Sequence, residues 1–212
     1  MNIHILCTDF RHPVNPWLER WMASNGGSHN IRIARHSSEL DGGDFLFLIS
    51  CHEIIRKPVR DMYRFTLVIH ASALPRGRGM SPHLWQILEG KSEIPVTLLN
   101  AEDAIDSGDI WHQLVVRFSG HELHDEVNRS IFDAEVALMS WAIRFCDTAI
   151  PASQIGEASF YRRRTPEDSR LDPYRTIESQ FELLRVADPG RYPAFFELRG
   201  KKYKLTITKM EG

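Results

Sequence analysis

A histidine follows a strongly apolar run in FTLVIHASALPRGRG, where glycine and proline prevent regular structure after His70. The apolar run predicts a strand that is buried on both faces of a parallel sheet, with His70 at its carboxyl end. Ligands of open α/β sheets bind outside the carboxyl ends of strands. His70 is therefore either a catalytic histidine or a histidine that is simply hydrogen-bonded at a strand end, and this feature alone favours neither.

An aspartate follows the later apolar run IPVTLLNA, in the loop AIDSGDIW. A histidine and a carboxylate at the ends of neighbouring strands can form a pair. In such a pair Asp106 would fix the tautomer of His70 and favour its protonated form, which makes a usable general base near neutral pH. An aspartate shortly before glycine is also common in turns for conformational reasons alone.

Two further charged segments are candidate binding sites. HELHDE, His121 to Glu126, lacks the i, i+4 histidine pair of a zinc-binding helix, so a polar helix start is the better interpretation and no metal site is predicted. The arginines at 162–164 could bind a phosphate through paired N–H groups, or they could simply be solvated.

The elements that would position these residues alternate between apolar runs and helical patterns up to about residue 150. This alternation predicts an α/β fold with an open, mostly parallel, doubly wound sheet. The stretch from Leu123 to Phe145 is apolar at every third or fourth position and predicts a long amphipathic helix. A polar segment, a short helix and a hairpin follow. We therefore predict an α/β domain at residues 1–150 and a small α+β lobe at 151–212.

Composition limits the classes of partner. The net charge of the 212-residue chain is −2, which gives no general electrostatic signal for nucleic acid or an anionic membrane. The three cysteines form no C-x-x-C pair, which fits a reducing compartment. No run of eighteen apolar residues is present, so we expect a cytoplasmic protein with no membrane insertion.

Two stretches, HASALPRGRGMSPHLWQILEG and IPVTLLNAEDAIDSGDIW, resemble the folate-dependent formyltransferases. That family includes methionyl-tRNA formyltransferase and the N-formyltransferases of nucleotide-linked amino sugars. Its pattern is a histidine, an S-x-L-P loop ending in R-G, V-T in the next strand and D-x-G after it. These match His70, SALP with Arg78 and Gly79, Val96-Thr97 and Asp106-Ser107-Gly108. The similarity covers about residues 40 to 120 and implies a Rossmann-like formyltransferase sheet, shortened at its N-terminal end.

A second block, FYRRRTPEDSRLD followed by RYPAFFELRGKKYKL, is similar to the C-terminal part of the sugar N-formyltransferases of bacterial surface-glycan (lipopolysaccharide) biosynthesis. This similarity implies a nucleotide-linked amino sugar as the substrate and 10-formyltetrahydrofolate as the co-substrate. A nucleic-acid partner is not expected, and the apolar C-terminal strand and long helix offer surface for a homodimer.

By the same resemblance, His70 and Asp106 are the catalytic residues. The residues expected to line the folate pocket follow two strands or precede Pro75: Ser50, Cys51, His52, Ile54, Leu74, Glu102, Ala104 and Ile105. Four arginines are candidates for binding the substrate's phosphates by charge and position: Arg76, Arg78, Arg162 and Arg163.

One departure concerns the oxyanion. The family has asparagine two residues before the histidine, where this chain has Val68. That asparagine helps to stabilise negative charge on the reacting oxygen. Its replacement leaves open two alternatives to the sugar enzyme: a formyltransferase acting on another amine such as an aminoacyl-tRNA, or a catalytically weak relative that binds folate or sugar.

Overall fold

The computed structural model describes residues 1–210 of the chain. Its strands, in chain order, are β1 Asn2–Leu6, β2 Asn30–Ala34, β3 Gly43–Leu48, β4 Tyr63–His70, β5 Arg78–Gly79, β6 Glu93–Asn100, β7 Ile110–Arg117, β8 Phe160–Tyr161, β9 Ala194–Leu198 and β10 Lys201–Leu205. The α-helices are α1 Asn15–Asn25, α2 Lys57–Arg60, α3 Pro82–Leu88, α4 His124–Phe145 and α5 Phe181–Val186.

The central sheet has six strands in the order β2-β1-β3-β4-β6-β7. The pairs β1–β2, β1–β3 and β3–β4 are parallel, whereas β4–β6 and β6–β7 are antiparallel. The predicted mostly parallel α/β sheet is thereby confirmed. The sequence analysis did not predict β7, although IWHQLVVR alternates between more buried and more exposed positions, as a strand with one covered face does.

The two faces of the sheet are covered very differently. On one face, the fully buried Ile3, Ile5, Phe45 and Phe47 belong to a large apolar core that includes residues of α1, α3 and α4. On the other face, Leu46 belongs to a much smaller cluster. The four-residue helix α2 is the α-helix in the crossover between β3 and β4, so this face has little helical cover.

The long helix predicted between Leu123 and Phe145 is confirmed as α4, and its apolar side is buried in the large core. The C-terminal hairpin is also confirmed, with Arg199 and Gly200 between β9 and β10. Both turn residues have positive φ, 53° and 72°, which suits the twist of a tight two-residue hairpin.

The segment after residue 150 is attached to the sheet domain at several points. Ala152 forms a backbone bridge with Ile110, and Val186 at the end of α5 is fully buried in the large core. The side chain of Arg185 is buried and donates a hydrogen bond to the carbonyl oxygen of Glu122, 3.1 Å away. The division into two domains at residue 150 stays a prediction. Within residues 1–210, no helix has both the length and the apolar character needed to cross a membrane.

Candidate active site

His70 is the last residue of β4 and is buried, with 7% of its surface exposed. Its Nε2 lies 2.8 Å from the carbonyl oxygen of Gly77, and its Nδ1 lies 3.5 Å from Oδ2 of Asp106. A carbonyl oxygen only accepts hydrogen bonds, so Nε2 carries a hydrogen in this arrangement. Nδ1 then faces a carboxylate, and one proton can be held between the two groups. The structure therefore brings together the two residues predicted to be catalytic.

The backbone holds the Asp106 carboxylate in place. Asp106 has a φ of 52°, and its Oδ2 accepts a hydrogen bond from the N–H of Gly79 at 2.9 Å. Gly79 has a φ of 101°, and a side chain on it would collide with the carbonyl oxygen of Tyr161. A glycine is therefore needed where β5 pairs with β8, and that pairing positions the N–H that binds Asp106.

Gln154 links the aspartate loop to the arginine before Gly79, and the sequence analysis did not single it out. Its Nε2 donates to the carbonyl oxygens of Asp106 at 2.8 Å and of Gly108 at 2.9 Å. Its Oε1 accepts from Nη2 of Arg78 at 2.6 Å. Arg78, which is predicted to bind phosphate, is thus hydrogen-bonded to the glutamine that holds the Asp106 loop. No local motif marks Gln154, because its partners lie more than forty residues earlier in the chain.

The two segments predicted to bind folate are joined by a single arginine. Nη1 of Arg60 donates to the carbonyl oxygen of Ile55 at 2.7 Å and to Oδ1 of Asp103 at 2.9 Å. Ile54 and Ile105, one in each segment, are 62% and 61% exposed. Exposed apolar side chains on both segments suit an aromatic ligand that would cover them, and so these residues fit the pterin end of a folate.

The remaining predicted folate residues have varied surroundings. Oγ of Ser50 lies at hydrogen-bond distance from Nε2 of His12, 3.1 Å away. Burial raises the pKa of the Cys51 thiol to about 11. Leu74 is buried. Oε2 of Glu102 lies 3.8 Å from Nη2 of Arg60. Ala104 is exposed in the loop before Asp106, whereas His52 lines a separate cavity described below.

Val68, which occupies the family's asparagine position, packs against the small apolar cluster on the thinly covered face. Cys51 and Ala101 pack against the same cluster, so Val68 lies between the folate segments. Asn100, the nearest asparagine along the following strand, accepts a hydrogen bond on Oδ1 from Nε1 of Trp111 at 2.8 Å. Its amide oxygen is therefore already engaged with the core.

A cavity of about 150 Å³ lies between the sheet domain and the C-terminal segment. We call it the histidine cavity, because four histidines line it together with three arginines and one aspartate: His12, His52, His83, His124, Arg163, Arg164, Arg191 and Asp188. Burial lowers the pKa of His12 to about 4 and that of His83 to about 3. Sequence analysis could not group these histidines, since they are far apart in the chain.

The four predicted phosphate-binding arginines are not brought together. Arg163 lines the histidine cavity, whereas Arg162 pairs with Asp168 at 2.7 Å and lies over the ring of Trp85. Arg76 is exposed on the loop between His70 and β5. Among residues 1–210, no group of three or more histidine, cysteine, aspartate or glutamate side chains could hold a metal ion.

Comparison with known proteins gives consistent matches. A family model described as formyl transferase matches residues 13–143. The chain is 26% identical over 173 residues to methionyl-tRNA formyltransferase of Protochlamydia amoebophila, an alignment that covers 78% of this chain and 54% of that protein. The chain spans about half the length of the curated relatives it matches.

Two solved structures show the same fold. HypX from Aquifex aeolicus in complex with tetrahydrofolic acid has a TM-score of 0.79 at 21% identity, covering 97% of this chain and 37% of that one. A sugar N-formyltransferase from Shewanella sp FDAARGOS_354 has a TM-score of 0.75 at 14% identity, covering 100% of this chain and 99% of that one. At these identities the likeness concerns the fold.

Proposed function

The chain belongs to the formyl transferase family, and we propose that it transfers a formyl group from 10-formyltetrahydrofolate to the amine of a nucleotide-linked amino sugar. The observation that carries this proposal is the pairing of His70 with Asp106 at the end of β4. Formyl transfer needs a group that takes a proton from the attacking amine and a group that returns one to the leaving nitrogen.

The pair of His70 and Asp106 is suited to both proton transfers. Nε2 of His70 is held by the carbonyl oxygen of Gly77, so the ring is fixed and Nδ1 faces Asp106. One proton held between Nδ1 and the carboxylate can be given to the leaving nitrogen of the folate. The proton lost by the attacking amine of the acceptor then replaces it. The contact of 3.5 Å is longer than a hydrogen bond, and catalytic contacts of this kind often tighten once a substrate is bound.

The co-substrate would be held by the segments after β3 and β6. Ile54 and Ile105 would pack against the pterin, while Arg60 keeps their two segments together. When bound, 10-formyltetrahydrofolate supplies the formyl group and the leaving nitrogen. Negative charge on the formyl oxygen must be met by a donor other than the family asparagine, because Val68 offers no hydrogen bond.

The acceptor is the finer part of the proposal. A sugar substrate is supported by the C-terminal RRRTPEDS segment, by the chain's net charge of −2, and by a sugar N-formyltransferase of the same fold that it covers end to end. An aminoacyl-tRNA acceptor is the second candidate, and the curated match to methionyl-tRNA formyltransferase favours it.

A direct activity assay tests both candidates. The purified chain is incubated with 10-formyltetrahydrofolate and either UDP-, GDP-, dTDP- or CMP-linked amino sugars or methionyl-tRNA, and formylated product is measured by mass spectrometry. We expect a formylated sugar nucleotide. Product from methionyl-tRNA alone would establish the second candidate. Folate binding with no product from any acceptor would instead identify a binding protein.

A further inference from the structure

The histidine cavity has a basic lining, although the chain has a net charge of −2. Three arginines and four histidines line it, and Asp188 is the acidic residue among the lining. Asp188 is already engaged, since its Oδ1 accepts hydrogen bonds from the backbone N–H groups of Gly190 at 2.8 Å and Arg191 at 3.0 Å. Arg191 donates to Oδ2 of Asp9 at 2.9 Å, so two of the three arginines keep a positive charge that no ion pair with residues 1–210 offsets.

Arg164 shows this lack of partners most clearly. It is only 7% exposed, yet its Nε makes no hydrogen bond with the described residues. Its Nη2 donates to the carbonyl oxygen of Asp168 at 3.1 Å, which fixes the guanidinium at the cavity wall. A buried N–H without an acceptor costs free energy, and burial already lowers the pKa of Arg164. An anion in the cavity would offset the buried charge of this guanidinium.

The lining histidines are affected by the same charge. Burial and the neighbouring positive groups lower the pKa of His83 to about 3, with contributions from His124, His12, His70 and Arg164. At neutral pH its ring is therefore uncharged and can donate one N–H. His83 lies in the first turn of α3, so its ring reaches the cavity from the helix that follows the His70 segment in the chain.

We propose that the histidine cavity binds a phosphate group of the formyl acceptor through Arg163, Arg164 and His83. The proposal rests on the proposed function for the identity of the molecule that carries this phosphate. Guanidinium groups match phosphate oxygens in geometry and charge, and an imidazole N–H can donate to a third oxygen.

The shape of the site favours a small molecule over a polynucleotide. The cavity has a volume of about 150 Å³, which suits a compact anion such as a phosphate. A polynucleotide would instead require an extended basic surface, because its affinity comes from many phosphate contacts. A chain with a net charge of −2 has no overall excess of basic residues to form such a surface.

The test measures anion binding by isothermal titration calorimetry on the full chain, with UDP and with inorganic pyrophosphate, and without folate. Arg163→Gln removes an exposed charge and is not expected to affect folding; His83→Asn removes a half-buried ring. Each should weaken UDP and pyrophosphate binding about tenfold, the usual loss of one charge-assisted contact. Arg175→Gln is the matched control, because Arg175 is exposed, lies outside the cavity and should leave the affinity unchanged.

Three outcomes would overturn the proposal: no binding of UDP or pyrophosphate to the wild-type chain, equal weakening by Arg175→Gln, or no weakening by either cavity variant. Displacement of UDP by tRNA with a higher affinity would also reject it in favour of a nucleic-acid site. The calorimetry contains no folate and does not depend on catalysis. UDP binding as expected, together with no product in the separate formylation assay, would therefore reject only the proposed function. Formylation with unchanged UDP affinity in Arg163→Gln would reject only the cavity assignment.

Discussion

Nε2 of His70 and Oδ2 of Asp106 are hydrogen-bonded to the backbone, whereas Nε of Arg164 in the histidine cavity has no partner among the described residues. Satisfied groups are held in one orientation before any ligand arrives, which is what proton transfer at a defined position requires. A buried guanidinium without an ion pair is stabilised when an anion binds beside it. Nε of Arg78 and Oγ of Ser72, in the segment after His70, are also buried without a partner within residues 1–210. The contrast therefore concerns the reacting atoms themselves, which the protein holds for chemistry, and the cavity arginines, which are suited to binding an anion.

The largest expected effect comes from breaking the satisfied region at its carboxylate. Asp106→Asn removes the negative charge that holds a proton on Nδ1 of His70 while keeping the side-chain size, so formyl transfer should fall by about 10²- to 10⁴-fold. Single-turnover rates measure this loss. Asp109→Asn, in the same loop but hydrogen-bonded to Ser153, is the control and should keep the wild-type rate. Equal rates for the two variants would remove Asp106 from the mechanism.

A smaller loss is expected from the support of that carboxylate. Gln154→Ala removes the hydrogen bonds to the carbonyl oxygens of Asp106 and Gly108, and a displacement of about 1 Å can cost up to about 100-fold in rate. The rate should fall at every pH, and the thermal midpoint should change little. Gln180→Ala, whose amide ties together a loop at residues 172–176, serves as the control. A wild-type rate for Gln154→Ala would show that Asp106 needs no such support.

The missing oxyanion donor allows a gain to be predicted. Val68→Asn places an amide two residues before His70, between the folate segments, and should raise the turnover rate by about tenfold or more. The amide would be half-buried beside an apolar cluster, so stability should fall at the same time by about 1 kcal/mol. Val68→Ala controls for the loss of packing and should lose stability without any gain in rate. A slower Val68→Asn enzyme would mean that another group already occupies the oxyanion position.

The smallest effect is a pH dependence of stability that arises in the histidine cavity. The pKa of His12 is lowered to about 4, whereas an unfolded histidine titrates near 6.5. Between these values the unfolded chain binds more protons, so stability should fall as the pH decreases from about 6.5 to about 4. His12→Asn should flatten this part of the profile of thermal midpoint against pH. Arg175→Gln, an exposed change outside the cavity, should leave the profile as in the wild type; a flattening there too would rule out the cavity as its origin.

Sequence alone predicted the features that local patterns encode. The helix α4 has an unbroken apolar periodicity, and His70 and Asp106 each follow an apolar run and match a family motif. The edge strand β7 was missed because its start merges with a loop that contains glycine and aspartate. The alternation of apolar and polar residues along Ile110–Arg117 was the signal that could have indicated this strand.

The cavity and the Gln154 contacts could not have been predicted in the same way. His12, His83 and His124 lie on the loop after β1, on α3 and on α4, so only the folded chain brings them together. Gln154 contacts residues at 78, 106 and 108 through hydrogen bonds that no spacing in the sequence indicates. The sequence motif identified the reacting residues, while the residues that hold them depended on tertiary structure.

The division of roles between the two regions is tested most directly by steady-state kinetics on two variants assayed in parallel with one sugar nucleotide. His70→Gln should lower kcat strongly and leave KM near the wild-type value, because the loss concerns only the reacting step. Arg163→Gln should raise KM about tenfold and leave kcat near the wild-type value. A fall in kcat for Arg163→Gln with an unchanged KM, or wild-type turnover for His70→Gln, would contradict the account.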